Sequence, residues 1–371
     1  MSKGFVILSL RLALKNLITK APELPQRFHE THIHMKKDDL HGLIAGRPRT
    51  CLGRFPTPLQ SFSQLIVKRD DLTDLAMGGS KVRMLEFFVG EALARSAQIL
   101  VTAGPLQSNH CRLTAAAAAR CGLECHLLII GQPENKHRLE GNKLLSVLLG
   151  AQLFHIDRAS AKEQIDEHLT NLRKNHVPFY FISDAGHSPT GLWGYLSASL
   201  ELITQLEELC VSPGRLYVAC GRGTAQAGLL LGLRLLGCSL SVIGVSVARS
   251  SVRCQNEIHT VIGEFCEQHK LDNPVSETDI EIDDRWIGAG YDAVPPERWQ
   301  IIAEEARRNA LLLDPIYTGR TMQAVLDYVS RGGREKVIFV HTGGLPGLFV
   351  ADFQKEMTAA LNKLENQFNS I

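Results

Sequence analysis

A lysine directly after two glycines, in Gly78-Gly79-Ser80-Lys81-Val82-Arg83, is the first residue whose setting suggests chemistry. Paired glycines let backbone approach a ligand closely, and a lysine among them can be desolvated, which lowers its pKa and makes the amine nucleophilic. The same tetrapeptide is also an ordinary turn with a solvated lysine, so its meaning depends on its company. Gln107-Ser108-Asn109-His110 stands before an alanine-rich stretch. Ser and Asn there are usual N-caps, and the free amides of a helix start can also hold a carboxylate. Cys220-Gly221-Arg222-Gly223-Thr224-Ala225-Gln226 opens an apolar helix, and such a turn can cup a phosphate with backbone amides and a threonine hydroxyl. Gln226 stands where a dinucleotide fingerprint needs its third glycine, which favours a mononucleotide-sized phosphate. His341-Thr342-Gly343-Gly344, Asp314-Pro315-Ile316-Tyr317-Thr318-Gly319 and Gly290-Tyr291 complete the set, although glycine-rich strand ends are equally often plain tight turns.

These loops need elements to hold them. Gln64–Arg69 reads as a strand, and Leu85, Phe88, Val89, Ala92 and Leu93 give the helix after Lys81 a core-facing stripe. Strand Ile99–Ala103, the turn 104–110 and a helix over 113–119 follow, then strand Cys125–Ile130, helix Leu139–Leu149 and strand Leu153–Ile156. Strand Phe179–Ser183 leads through Asp184–Pro189 to a helix from about Gly191. Strand Leu216–Ala219, helix 225–236 and strand Ser241–Val247 precede a long irregular region to about 297. Helices 298–312 and 319–331, strand Val337–His341 and a terminal helix close the series. Strands alternating with helices predict mostly parallel sheets covered on both faces, arranged as two open α/β domains with the site in the cleft between them.

Composition narrows the function class. Forty basic against thirty-nine acidic residues give a net charge of +1, so no field draws nucleic acid or an anionic membrane, and a small molecule is the expected partner. Nine scattered cysteines without a Cys-x-x-Cys argue against a disulfide framework and for a reducing compartment. Cys121, Cys125 and His126 lie close in sequence but lack a second pair of ligands, so no metal is expected. Arg11 and Lys15 interrupt the apolar N-terminus, which reads as an amphipathic helix or an extension rather than a secretory signal. An organellar targeting helix is the alternative there, and no stretch is long enough to span a membrane.

The segments KRDDLTDLAMGGSKVRMLEF, AGPLQSNHCRLTAAAAARCGL, GAGYDAVPPE, LLLDPIYTGRTM and IFVHTGGLPGLF, in this order, resemble the D-cysteine desulfhydrase and 1-aminocyclopropane-1-carboxylate deaminase family of fold-type-II pyridoxal phosphate enzymes. The resemblance runs from about residue 48 to 350 and leaves 1–47 as an N-terminal extension. It implies a large coenzyme-binding domain from 48–92 plus 186–371, a small substrate-closing domain over 93–185, a homodimer and a cytoplasmic location. It implies Lys81 as the lysine that carries pyridoxal 5′-phosphate as a Schiff base and as the base for the Cα proton. Asn109 is then expected beside the coenzyme's phenolic oxygen, and Ser108, helped by Gln107, at the substrate carboxylate. Tyr291 and Tyr317 match the family's active-site tyrosines, and Gly221, Gly223, Thr224 and Ala225 the phosphate cup.

Thr318 and Thr342 stand where deaminase members of that family carry Glu and Leu, as the desulfhydrases do. A threonine near the pyridine nitrogen is a neutral partner and leaves the coenzyme a milder electron sink, which suits β-elimination of a thiolate from D-cysteine to give pyruvate, sulfide and ammonia. Deamination of the cyclopropane amino acid to 2-oxobutanoate is the enzymatic alternative, and an inactive coenzyme-binding homologue the non-enzymatic one. Ser80 in place of the family's Asn, Arg222 and Ala225 in the cup, and Asp184 with His187 in a loop that often has smaller residues depart from the pattern.

Overall fold

The computed structural model describes residues 34–131 and 138–368 of the chain, so the N-terminal stretch up to residue 33 lies outside the described residues. Helix α1 (Lys37–Ala45) leads to the antiparallel hairpin β1 (Leu59–Phe62) and β2 (Leu65–Lys68). Then come α2 (Lys81–Ala94), β3 (Ile99–Gly104), α3 (Asn109–Cys121), β4 (Glu124–Ile130), α4 (Gly141–Leu148), β5 (Gln152–Ile156), α5 (Ala161–Lys174) and β6 (Phe179–Ile182). The second half adds α6 (Pro189–Glu208), β7 (Arg215–Cys220), α7 (Thr224–Leu235), β8 (Ser241–Ser246), α8 (Ser251–His269), β9 (Glu281–Asp283), α9 (Pro296–Asn309), α10 (Thr318–Ser330), β10 (Val337–Val340) and α11 (Ala351–Phe368).

Two sheets result. The larger has six strands in the order β1-β2-β10-β7-β8-β9, parallel except for the hairpin, and the smaller has four parallel strands in the order β5-β4-β3-β6. Strand β10 reads Val-Ile-Phe-Val and is buried at all four positions, as expected of a central parallel strand covered on both faces. Between the sheets lies one large apolar cluster to which α2, α3, α6 and α7 contribute Phe87, Leu113, Leu196 and Leu230.

Strand order places the chemistry. The carboxyl ends of β2, β10 and β7 are neighbours, so the loops that follow them, carrying Lys81, Thr342 and the glycine-rich turn 221–225, are brought side by side. From the smaller sheet, the adjacent strands β3 and β6 deliver the 105–108 turn and the 183–187 loop.

Several elements differ from expectation. The supposed irregular region before 297 contains α8 and β9. Helix α8 buries Cys254, Ile258, Val261, Ile262, Phe265 and Cys266 at helical spacing, but polar residues outnumber them and mask the stripe. Helix α3 starts at Asn109 rather than 113, because the Ser108 side chain accepts a hydrogen bond from the Cys111 amide and caps it. Leu93 is 41% exposed, while Arg83 and Glu86 on the same helix are buried through ion pairs. Strand alternation separates Cys125 from His126, whose Nδ1 lies 3.0 Å from His168 Nε2. All nine cysteines are free. Among the described residues, no helix is long and apolar enough to cross a membrane.

Candidate active site

Lys81 begins α2, and its position is fixed from both sides. The Ser80 amide donates to the Thr342 carbonyl at 3.0 Å, and the glycine pairs pack so closely that a Cβ on Gly343 would lie 2.7 Å from the Gly79 Cα. Both glycines also have positive φ, at 130° and 88°. From the smaller sheet, the buried Arg112 donates to the carbonyls of Ala76 and Gly78 and, at 2.7 Å, to Asn142 Oδ1. Behind it, Arg83 forks onto Asp70 at 2.8 and 2.7 Å and reaches Glu201 on α6 at 2.9 Å, where Lys68 also pairs.

The Lys81 amine itself has no hydrogen-bond partner among the described residues. Burial brings its pKa down to about 8. The Cys220 thiol, hydrogen-bonded to Cys254 and buried, is held well above its ordinary range. Burial and the facing Lys81 push His110 down to about 3. Its Nε2 lies 2.9 Å from the Thr102 hydroxyl, which itself donates to the Ile182 carbonyl, so the imidazole proton sits on Nε2 and Nδ1 is a bare acceptor. His187 is also lowered, first by burial.

An amine in this state can be recognised in the apo-protein. Reductive methylation of Lys81 by formaldehyde, followed by mass spectrometry, should rise to half its limiting rate near pH 8, where the free amine appears. Solvated lysines should do so near about 10.4. A half-rise above pH 10 for Lys81 would show that the site does not desolvate it.

Around the amine, Ser108 caps α3 and keeps its hydroxyl proton to donate. Asn142 organises its neighbours, donating to Asn109 Oδ1 at 2.9 Å and to the Gln107 carbonyl at 2.9 Å. Among the described residues the Asn109 side-chain nitrogen has no hydrogen-bond partner. Gln107 is turned to the 140–142 segment, accepting from the Asn142 amide and donating to the Glu140 carbonyl. Asn142 went unnoticed in sequence, since a Gly-Asn at a helix start carries no signal of its own.

The two tyrosine hydroxyls meet at 2.6 Å. Asp314 accepts from the backbone amides of Ile316, Tyr317 and Thr318 at 2.8–2.9 Å and so sets Tyr317. Arg320, fully buried, donates to the carbonyls of Gly290, Tyr291 and Val247 and so sets Tyr291. Burial raises both phenols, Tyr317 to about 12, and both stay protonated near neutrality. Thr318 and Thr342 part company: the Thr318 hydroxyl is buried and donates to Asp314 at 2.7 Å, while the partly exposed Thr342 hydroxyl has no partner among the described residues.

The turn 221–225 lies beside this group. A Cβ on Gly221 would be 3.6 Å from the Tyr317 ring, and Gly223, at φ 85°, leads directly into α7. A glycine-rich helix start and a buried amine on neighbouring strand-end loops suit a phosphate-bearing aldehyde coenzyme.

This architecture and site define a fold-type-II coenzyme-dependent α/β enzyme. The chain belongs to the pyridoxal-phosphate dependent enzyme family, whose profile matches residues 51–343. It is 33% identical over 332 residues to a putative 1-aminocyclopropane-1-carboxylate deaminase of Pyrococcus abyssi, covering 85% of this chain and 97% of that protein. It is 34% identical over 317 residues to the D-cysteine desulfhydrase of Salmonella typhi, covering 81% and 95%. A crystal structure of an ACC deaminase homologue superposes with a TM-score of 0.79 at 31% identity, over 86% of this chain and 98% of the other. The chain is therefore a pyridoxal phosphate enzyme of the lyase and deaminase kind.

Proposed function

We propose that the enzyme carries out α,β-elimination on D-cysteine, converting it with one water to pyruvate, sulfide and ammonia. The observation that carries this reading is the neutral lining of the site. The groups that interact electrostatically with the Lys81 amine, Cys220, His110 and His187, are all uncharged near neutrality, and among the described residues the hydroxyl left without a partner at the strand end belongs to Thr342.

The residues divide the work. Gly221, Gly223, Thr224 and Ala225 would hold the coenzyme phosphate through their backbone amides, while the Thr224 hydroxyl donates to His187; Asn109 would give a side-chain N–H to the phenolic oxygen, and Thr342 would be the neutral group near the pyridine ring. Thr318 contributes from behind, through the Asp314 turn. When bound, pyridoxal phosphate supplies an electron sink that acidifies the substrate Cα–H. The Lys81 amine is the group that would take that proton, and its pKa of about 8 makes it a competent base. Ser108 and the α3 amides bind the substrate carboxylate, with Gln107 ordering the turn through the 140–142 segment. Tyr291 and Tyr317 flank the substrate and move a proton between their hydroxyls.

The domain division at 92–93 and 185–186, with the smaller part closing over substrate, belongs to the same proposal, as do a homodimer and a cytoplasmic location. Purified protein given D-cysteine should release sulfide and pyruvate in equal amounts. Production of 2-oxobutanoate from the cyclopropane amino acid with no sulfide from D-cysteine would transfer the assignment to the activity named in the Pyrococcus relative.

A further inference from the structure

Two departures from the family pattern that look unrelated in sequence, Arg222 in the cup and the acid and histidine of loop 184–188, meet in space. Arg222 pairs with Asp184 and lies 3.6 Å from Glu257 on α8. Glu257 also receives Arg249 at 2.6 Å and Arg253 at 3.0 Å. His187 bridges the same elements, with Nδ1 3.1 Å from the Thr224 hydroxyl and Nε2 3.3 Å from the Glu257 carbonyl. The loop after β6, from the smaller sheet, is thereby tied to the turn after β7, from the larger one.

The loop's backbone points the same way. Asp184 and Ala185 both adopt left-handed conformations, at φ 52° and 54°, followed by Gly186 at φ 80°. Consecutive left-handed non-glycine residues are unfavourable and persist when the surroundings over-determine them. Here the surroundings are Arg222, Thr224 and Glu257. Asp184 is half exposed, so its pair with Arg222 is accessible to water and can open without unfolding the core.

We propose that Asp184, His187, Arg222 and Glu257 form a clasp across the phosphate end of the cleft that slows departure of the coenzyme. The inference rests on the reading of 221–225 as the phosphate cup. Arg222 serves here as the tie between the two loops, drawn aside by two carboxylates.

The test is the release rate of pyridoxal phosphate from the holoenzyme, followed by absorbance during gel filtration or in the presence of an excess of coenzyme-trapping protein. D184A and R222A should each release it about threefold to fivefold faster, the range expected for a partly exposed ion pair, and the double variant no faster than either single. The charge-swapped D184R/R222D protein should recover most of the slow release, which separates a clasp from general damage to the loop. Raising the salt concentration should speed release from the unaltered enzyme and leave the single variants nearly unchanged. Release at the unaltered rate from both single variants, or a swap no slower than the singles, overturns the clasp. Equilibrium binding of pyridoxal against pyridoxal phosphate separates the two levels. If the phosphate tightens binding strongly while D184A and R222A release the coenzyme at the unaltered rate, the clasp alone falls, and if pyridoxal binds as tightly as its phosphate ester, the cup reading and the clasp fall together.

Discussion

Replacing Lys81 with alanine is expected to lower kcat/KM for D-cysteine by at least about 10⁴-fold, because in the proposed mechanism one side chain is both the covalent anchor and the proton-transferring amine. The loss should be chemical and local. Lys81 makes no hydrogen bond among the described residues, and its site is organised by Ser80, Arg112, Thr342 and the Arg83 cluster, which the substitution leaves in place. Burying a charged amine below its pKa of about 8 costs stability, so the apo-form of K81A should melt at or above the temperature of the unaltered apo-protein at pH 7. The sign follows from linkage. A lysine whose folded pKa is lowered penalises folding while it is charged, and the penalty disappears as pH rises from 8 toward the unfolded value of 10.5. Residual turnover within about tenfold of the unaltered enzyme would remove Lys81 from the chemistry.

Asp70→Ala should be the most destabilising of the polar substitutions, at about 3–5 kcal/mol, because it breaks a buried ion network from one side. Asp70, Arg83 and Lys68 are each at most 3% exposed. Burial would raise the Asp70 carboxyl, but the Arg83 guanidinium, with Lys68 and the Thr57 hydroxyl, more than offsets it and the pKa falls. Without Asp70, two buried cations share Glu201. The network's contribution is fully present above the unfolded values of 3.8 and 4.5 for its two carboxyls, and is lost as pH falls through their lower folded values. Denaturant titration of the variant and the parent at pH 7 checks the magnitude. A difference below about 1 kcal/mol would place the cluster among ordinary surface pairs. Since Arg83 lies two residues beyond Lys81 on the same helix, the variant should also lose activity before it loses its fold.

What could be read in the sequence was what short segments carry on their own. Lys81 at a loop-to-helix junction, the glycine-rich turns and the alternating strands and helices all follow from local composition and period. The partnerships could not be read, because they join distant segments. Nothing near residue 222 announces residue 184, and only the crossing of the two sheets makes them neighbours. Asn142 and Arg320 are legible solely through what they hold, namely Asn109 in one case and Tyr291 in the other. The two threonines were read as equals, yet the Asp314 turn consumes one hydroxyl and leaves the other free. Helix α8 was missed because its apolar stripe is diluted by polar residues, and burial against α6 and α7 rather than intrinsic propensity forms it.

Strand β10 pairs with β2 on one side and β7 on the other, although it follows them in sequence by 269 and 117 residues, counting from Lys68 and Cys220 to Val337. During synthesis, then, the larger sheet waits with an open slot at its centre, flanked by two unpaired apolar edges, until residues 337–340 have emerged. The smaller sheet has no such delay, since its four strands lie within residues 99–182. Lys81 and the 221–225 turn are both made long before the strand that sets them side by side, so a nascent chain can present either half of the site but not the assembled whole.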